Sequence, residues 1–249
     1  MPAAPTCNAL CVGCISFQPK AGDETPTAAH DRITFAPTPK EIAEVALGHI
    51  ERVGERAVVS FGQGCEGEPL MQGRNLEQSV RLIRQATTRG IVNLNSNASK
   101  PDVVAKMMDA GLDSLRVSTN SARRDVYHAY YRPTGYGFED VRRSAMVVRE
   151  RGGYVMLNYF VFPGVTDTEA ELEALCGWIE EAKIDMVQLR NLNIDPEMYL
   201  AAVTEVGHEV APMGLMVWLR RLRERFPTLR FGYFNPPRQT MAEAAPALV

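Results

Sequence analysis

Three cysteines near the start of the chain have a type and a spacing suited to metal chemistry. Cys7, Cys11 and Cys14 form the pattern Cys-x-x-x-Cys-x-x-Cys, and an odd total of five cysteines is a poor framework for disulfides. Three close thiolates suit a four-iron cubane cluster whose fourth iron stays open to a ligand. A structural zinc ion is the alternative, but it needs a fourth ligand, and His30 lies at no spacing typical of zinc sites. The cysteines alone leave both interpretations open.

A glycine-rich segment farther along the chain suggests a second kind of chemistry. Gly62, Gly64 and Gly67 match the spacing of the turn that seats a pyrophosphate in dinucleotide-binding folds. However, Glu68-Pro69 follows directly, and a carboxylate there would repel a phosphate at a helix N-terminus. The dinucleotide interpretation is therefore the less favoured alternative.

Alternating strand and helix patterns must position these residues. From residue 39 onward, short runs rich in β-branched residues predict strands at 57–61, 91–94, 114–118, 154–160, 186–189 and 229–233. Amphipathic spacing between them predicts helices near 75–88, 101–110, 138–151, 168–182 and 212–226. Repeated strand–helix units predict a parallel sheet with right-handed crossovers. Such a series favours an α/β fold of the partial (β/α)6 TIM-barrel type over a flat sheet.

The helix that precedes the first predicted strand has a clear start signal. Thr38 as N-cap, Pro39 at the first helical position and Glu41 at the third form a capping box. Its core-facing stripe is predicted to contain Ile42, Val45, Ala46, Ile50 and Val53.

Composition excludes several classes of protein. With 27 basic and 30 acidic residues the net charge is −3, which argues against a general nucleic-acid binder. No apolar run approaches the roughly 18 residues that a membrane span needs, and the first residues do not form a secretory signal. We expect a cytoplasmic protein with no membrane partner.

One domain is predicted over 1–249, with a cluster-binding loop region at 1–38, a barrel core at 39–195 and a C-terminal helix and strand at 196–249.

Taken together, these features resemble the radical S-adenosylmethionine (radical SAM) enzymes. The cysteine triplet precedes a strand–helix series, and further landmarks follow in the family's order over roughly residues 5–195. The first is Glu66-Gly67-Glu68-Pro69, which is similar to a Gly-Gly-Glu-Pro motif, and the second is Ser96-Asn97, which is similar to a Thr-Asn-Gly turn. Residues 115–121 are similar to a strand that ends in a ribose-contacting Ser. Asn158 and residues 162–167 are similar to the fifth strand and the Pro-Gly-x-x-Asp loop that follows it. Each landmark lies at or beyond a predicted strand end, where parallel barrels form their active sites.

The resemblance implies a set of cofactors and their ligands. Cys7, Cys11 and Cys14 would ligate three irons of a [4Fe–4S] cluster, and S-adenosylmethionine (SAM) would chelate the fourth iron. An electron from the cluster would cleave SAM to methionine and a 5′-deoxyadenosyl radical that takes hydrogen from a substrate. A flavodoxin or ferredoxin is the implied electron donor. The sequence does not indicate which substrate is used.

The resemblance also implies contacts to SAM in the segment after the first predicted strand. Glu68 would accept hydrogen bonds from the SAM ammonium group, and Gly67 would let the backbone approach the ligand closely. The alternative for Glu68 is a surface glutamate at a turn before Pro69.

Further polar residues at later strand ends are candidates for ligand contacts. Ser118 and Asn120 are candidates for the ribose hydroxyls, and Asn158 for the ribose or the carboxylate of SAM, with strand-end caps as the alternative. Arg132 would pair with the SAM carboxylate or form a surface salt bridge. Arg190 is hypothesised to bind an acidic group of the substrate, or else to form a salt bridge between helices.

The two remaining cysteines receive different interpretations. Cys65 lies three residues before Glu68, so it is a speculative hydrogen donor, substrate-linked thiol or extra ligand; a buried small residue is the alternative. Cys176 falls on the apolar stripe of the 168–182 helix and is predicted to be a core residue.

The sequence departs from the family pattern at three places. Gly13 stands where the family often has an aromatic residue, and Glu66 replaces the first motif Gly. The family's first strand normally precedes the cysteines, but only residues 1–6 are available here, so a stunted strand or a truncated chain is expected.

We predict a radical SAM enzyme; the alternative is a non-catalytic iron–sulfur or zinc-binding module that uses the same cysteines.

Overall fold

Six parallel strands form one sheet whose order follows the chain, with each strand paired to the next. In this computed structural model, which describes residues 1–16, 31–62, 64, 66–191, 194–206, 211–232 and 235–243, no pairing joins the last strand back to the first. The strands are β1 (Val58–Phe61), β2 (Ile91–Ser96), β3 (Ser114–Thr119), β4 (Tyr154–Phe160), β5 (Met186–Arg190) and β6 (Arg230–Phe231). The sheet is therefore an open partial barrel, which confirms the predicted α/β fold.

The strand order also decides against the dinucleotide interpretation of the glycine-rich segment. A doubly wound sheet binds its dinucleotide where the strand order reverses. Here the order runs from β1 to β6 without a reversal. That alternative was wrong.

Helices connect the strands and cover the outer face of the sheet. They are α1 (Pro39–Val53), α2 (Gly73–Ala86), α3 (Pro101–Ala110), α4 (Arg124–Tyr131), α5 (Phe138–Glu150), α6 (Glu169–Ala182), α7 (Pro196–Val203), α8 (Leu215–Arg225) and α9 (Arg238–Ala242). The sequence patterns did not predict α4, α7 or α9. Within the described part of the chain, no helix has the length and apolar character needed to cross a membrane.

Helix α1 confirms its predicted start and corrects part of its predicted face. The Thr38 hydroxyl accepts a hydrogen bond from the Glu41 N–H, and the Glu41 carboxylate accepts one from the Thr38 N–H, which completes the capping box. Ile42, Ala46 and Ile50 are buried as predicted, but Val45 and Val53 are 65% and 47% exposed. Val45 lies about 100° around the helix from Ala46, outside the buried stripe, and Val53 lies in the last turn.

The two faces of the sheet differ in chemistry. Outward-facing residues such as Leu115, Val117 and Leu157 are fully buried, and α5 packs against β3 and β4. Alternate positions face the concave side, where polar residues follow one another: Ser60, Asn93, Asn95, Ser114, Arg116, Asn158 and Gln188. Closed barrels usually fill this space with branched apolar side chains. The open barrel therefore has an interior suited to a polar ligand.

Candidate active site

A cleft of about 1080 Å³, its open mouth included, lies at the carboxyl ends of the strands. The N-terminal loop contributes Cys7, Cys11 and Cys14 to the lining, while β3 and β4 contribute Ser118 and Asn158. These residues are distant in sequence and meet because parallel strands end at the same edge. The structure thus brings the predicted metal ligands and four of the six predicted SAM contacts into one cleft.

The cysteine loop is held by a helix that the sequence patterns did not predict. The N–H of Val12 donates to the Tyr130 carbonyl at 3.0 Å, and the N–H of Leu10 donates to the Tyr131 carbonyl at 3.1 Å. Both tyrosines lie at the end of α4, and Ala9 forms an antiparallel bridge with Pro133 just beyond it. Helix α4 therefore fixes the backbone between the first and third cysteines.

Asn8 ties the same loop to the segment that follows β2. Its Nδ2 donates to the Ser99 hydroxyl at 3.0 Å, and its Oδ1 accepts from Asn97 Nδ2 at 2.9 Å. The landmark Ser96-Asn97 thus contacts the cysteine loop directly. The sequence analysis did not single out Asn8, whose only signal was its place beside Cys7.

Packing explains why Gly13 stands where the family often has an aromatic residue. A Cβ atom at Gly13 would lie 2.3 Å from Ile194 Cγ2 and 2.7 Å from the Tyr130 hydroxyl. Because these side chains already occupy the space before Cys14, a larger residue cannot fit without movement. The departure from the family pattern is therefore compensated by neighbouring side chains.

The three thiols differ in their electrostatic environment. Burial raises the pKa of Cys7 and raises that of Cys11 well above its ordinary value. Burial also acts on Cys14, but hydrogen bonds from the N–H and hydroxyl of Ser16 and from Arg32 outweigh it and lower the Cys14 pKa. Arg32 matches no motif in the sequence and was not predicted as a site residue. It favours a thiolate at Cys14.

The cysteines suit a cluster better than a single ion. All three are free thiols. Over the described ranges, no three Cys, His, Asp or Glu side chains are arranged to hold one metal ion. An iron–sulfur cluster takes each thiolate at a different iron, so its ligands do not need to converge on one point. The donor set therefore fits such a cluster.

Glu68 is buried and joins two loops of the cleft. Its Oε1 accepts hydrogen bonds from the Leu70 N–H at 3.0 Å and the Ser96 hydroxyl at 2.5 Å, and its Oε2 accepts from the Asn97 N–H at 2.8 Å. Burial nevertheless raises the pKa of Glu68 to about 7. A carboxylate accepts about four hydrogen bonds, so one position remains for a ligand. Glu68 lines the cleft and is not the surface glutamate of the alternative interpretation.

Glu66, the other departure from the family motif, anchors the start of the chain. Its Oε2 accepts hydrogen bonds from the N–H groups of Ala3 and Ala4 at 2.5 and 3.1 Å, and its Oε1 accepts from the Gly62 N–H at 2.7 Å. Burial raises the pKa of Glu66. Residues 1–6 form no strand but run along the loop that follows β1. No sequence pattern indicates this anchoring role.

Gly67 is a glycine because the N-terminal segment passes very close to it. A Cβ atom there would lie 2.0 Å from the Thr6 carbonyl oxygen, and the Gly67 N–H donates to the Ala4 carbonyl at 2.6 Å. Gly67 lines the cleft, as expected for a ligand contact. Its missing side chain is, however, explained by Thr6 alone.

The later candidates divide into two groups. Ser118 and Asn158 line the cleft, and the Oδ1 atom of Asn158 is buried without a hydrogen-bond partner among the residues that the structure describes, as expected for an atom that awaits a ligand. Asn120 and Arg132 do not line it. The Asn120 amide donates to the Val126 carbonyl at 3.1 Å, and Arg132 is the exposed C-cap of α4. The structure thus does not bring these two residues to the site.

Other predicted residues complete the account of the site. Cys176 is 1% exposed within α6, which confirms it as a core residue. Cys65 lies outside the described residues. Arg190 lines the cleft, and Arg116 lies on the concave face beneath it, bonded through Nη1 to Gln188 Oε1 at 2.8 Å. The sequence analysis missed Arg116, although its alternation with the apolar residues of β3 places it on that face.

Comparison with known families decides among the remaining interpretations. The family profile described as the radical SAM superfamily matches residues 1–176, more than two thirds of the chain. The chain belongs to the radical SAM superfamily. Membership supports a radical SAM enzyme, with SAM and an iron–sulfur cluster as the cofactors of the family, over the non-catalytic module. No curated protein sequence is similar enough to match it.

Solved structures of radical SAM enzymes share the fold. SuiB of Streptococcus suis bound to S-adenosylmethionine has a TM-score of 0.57 at 15% identity, over 93% of this chain and 49% of SuiB. A radical SAM methyltransferase from Sphaerobacter thermophilus has a TM-score of 0.57 at 17% sequence identity. The match covers 94% of this chain and 65% of the methyltransferase. The protein anSMEcpe with bound AdoMet has a TM-score of 0.55 at 15% sequence identity. The match covers 78% of this chain and 50% of anSMEcpe. This chain thus spans about half of the length of SuiB and anSMEcpe, and the likeness shows the fold.

Proposed function

We propose that Cys7, Cys11 and Cys14 hold a [4Fe–4S] cluster and that the enzyme uses it to cleave SAM reductively. The observation that carries this proposal is the cleft itself. Its lining combines three free thiols of one loop with Glu68 and Asn158, which lie far away in sequence. When bound, the reduced cluster and SAM supply a 5′-deoxyadenosyl radical that takes a hydrogen atom from the substrate.

The residues of this chain would bind and orient the SAM molecule. Within the described residues, Glu68 keeps one free acceptor position for an ammonium group, and Asn158 Oδ1 is a buried acceptor without a partner. The Ser118 side chain lines the same space as a further hydrogen-bonding group. Arg32 stabilises negative charge on the Cys14 sulfur.

Aromatic side chains would keep water from the reacting atoms. Tyr130, Tyr131 and Phe160 line the cleft, and each is 8% exposed. The Tyr130 and Phe160 rings are stacked with centroids 5.8 Å apart. A wall of this kind protects a radical from quenching by solvent.

The proposal is tested by anaerobic reconstitution with iron and sulfide, followed by reduction with SAM present. We expect about four irons per chain and formation of 5′-deoxyadenosine. Alanine variants of Cys7, Cys11 or Cys14 should lose both, whereas Cys176→Ala, a buried thiol away from the cleft, should keep both. Retention of about one zinc with no cluster would refute the proposal.

An electron donor is also part of the proposed function. Family chemistry points to a flavodoxin or a ferredoxin as the donor. Either reduced protein should then replace dithionite in the assay for 5′-deoxyadenosine. Failure of both, in a preparation that is active with dithionite, would exclude them as donors.

A further inference from the structure

Two arginines approach each other on the concave face of the sheet. Arg116, in the middle of β3, donates from Nη1 to the Oε1 of Gln188 on β5 at 2.8 Å, while its Nε is buried and has no hydrogen-bond partner in the described part of the chain. Arg190 lies two residues after Gln188, on the same face of β5, and lines the cleft. The guanidinium of Arg116 therefore still has donors to offer inside the barrel.

Neither guanidinium has an acidic partner among the described residues. By contrast, Arg142, Arg221 and Arg225 on the surface each pair with glutamates. Burial, and then the charge of Arg190, lower the pKa of Arg116 to about 10, so Arg116 remains charged at neutral pH. Arg116 is largely buried, so its charge, with a like charge nearby and no counter-ion among the described residues, is costly unless a ligand supplies the missing charge.

We propose that Arg116 and Arg190 together bind a carboxylate or phosphate group of the substrate, so that this enzyme acts on an anionic molecule. The inference rests on the proposed function, because it assigns the substrate to the same cleft. A guanidinium presents planar, paired donors that match either oxyanion. Gln188 acts as a positioning residue, since its bond to Nη1 orients the fork of Arg116.

The location of Arg190 separates it from Glu68 and the cysteine loop, while Arg116 lies on β3, two residues before Ser118. Glu68 and the cysteine loop contact the segments that follow β1 and β2, whereas Arg190 ends β5, toward the other side of the open sheet. Asn158 on β4 lies between them, in register with Gln188. A substrate anchored at Arg190 would thus extend toward the part of the cleft assigned to SAM.

The test is a calorimetric titration of the anaerobically reconstituted protein without reductant. Succinate and inorganic phosphate serve as probes for the two kinds of oxyanion, succinamide is the uncharged control, and SAM is titrated separately. The variants are Arg116→Gln and Arg190→Gln. Arg89→Gln is the matched control, because Arg89 is exposed and precedes β2, at the amino ends of the strands and away from the cleft. Since Arg190 lies at an exposed strand end, its variant still provides the test if Arg116→Gln does not fold.

We expect at least one oxyanion, but not succinamide, to bind the wild type and Arg89→Gln. Affinity should fall about tenfold or more in Arg116→Gln and Arg190→Gln, while SAM affinity stays unchanged. The inference is overturned if neither oxyanion binds the wild type at tens of millimolar. It is also overturned if the variants lose SAM affinity, because the arginines would then hold the SAM carboxylate. Failure of the proposed function appears separately, as absence of 5′-deoxyadenosine from the wild type, since this titration needs no turnover.

Discussion

The Glu68 carboxylate and the Asn97 backbone N–H are joined by a 2.8 Å hydrogen bond, and Asn97 in turn holds Asn8 of the cysteine loop. The loops after β1 and β2 and the N-terminal loop therefore form one connected unit around the cleft. Such a connection pre-organises ligands that come from separate parts of the chain. The contributions of Asn8 and Glu68 to this unit can be tested by substitution.

Removal of Asn8 should loosen the cysteine loop. Asn8→Ala removes the bonds to Ser99 and Asn97, each worth about 1 kcal/mol. We expect several-fold faster loss of iron from the reconstituted protein to a chelator, measured anaerobically by bleaching of the cluster absorbance. Asn75→Ala is the control, because it removes one hydrogen bond, from the side-chain amide of Asn75 in α2 to the Pro37 carbonyl. Equal release rates for both variants would show that the Asn8 bonds do not hold the loop.

Glu68 should make the stability of the metal-free protein depend on pH. Its pKa of about 7, against an ordinary 4.5, means that the folded state binds the proton more tightly than the unfolded chain does. Stability from protonated Glu68 is therefore present below pH 4.5 and lost as pH rises through about 7, by roughly 3 kcal/mol.

Denaturant unfolding at pH 5 and pH 8 measures this effect. We expect the wild type to lose about 2.5 kcal/mol relative to Glu68→Gln across that range, because the amide cannot ionise. Glu55→Gln, at an exposed glutamate, should follow the wild type at both values. Parallel pH profiles for the wild type and Glu68→Gln would contradict the raised pKa.

Elements with strong local signals were predicted from the sequence. Strand β4 and helix α3 have the predicted bounds, Tyr154–Phe160 and Pro101–Ala110, and Thr38 caps α1 as predicted. Periodicity, prolines and capping residues act within a few positions, so they can be recognised in the sequence itself.

Helix α4 was not predicted because its stability comes from tertiary packing. Its segment Arg124–Tyr131 is rich in Tyr, His and Asp, which are only moderate helix formers. In the structure the ring of Tyr130 in α4 has its centroid 5.8 Å from that of Phe160 on β4 and 5.7 Å from that of Tyr199 on α7. Those partners come from elsewhere in the fold, and no local pattern indicates them.

The same limit applies to the site. Ser118 lies within β3, so strand alternation correctly places its side chain on the concave face. Asn120 lies one residue beyond the end of the strand, where alternation no longer determines direction, and its amide turns toward Val126. The roles of Glu66 and Asn8 depend on contacts with segments 60 to 90 residues away, which a single sequence does not reveal.

Filling the space at Gly13 should destabilise the protein through two specific neighbours. Gly13→Ala would place a methyl group against Ile194 and Tyr130 and should cost about 1–3 kcal/mol in the free energy of unfolding. Ile194→Ala in the same chain should recover part of that cost. Gly177→Ala in α6 is the control, since its Cβ would meet nothing within 4 Å, and a gain of up to about 1 kcal/mol is expected there. Additive losses in the double variant would exclude the Ile194 contact as the cause.

Loss of the Glu66 carboxylate should free the N-terminal segment that leads to Cys7. Glu66→Ala leaves the N–H groups of Ala3 and Ala4 without their acceptor, and bonds to a charged group are worth about 1.5–3 kcal/mol. We expect faster hydrogen exchange in the first residues of the chain, measured by mass spectrometry on the metal-free protein.

Glu66→Gly, which restores the glycine common in the family motif, should show the same fast exchange, because glycine also provides no acceptor. Glu44→Ala on the exposed side of α1 is the control and should exchange like the wild type. If the N-terminal peptide stays protected in both Glu66 variants, the backbone bonds of Gly67 and Glu68 to Ala4 and Thr6 are sufficient to hold it. Faster exchange confined to the Glu66 variants would instead show that this chain uses a carboxylate to place its first cysteine.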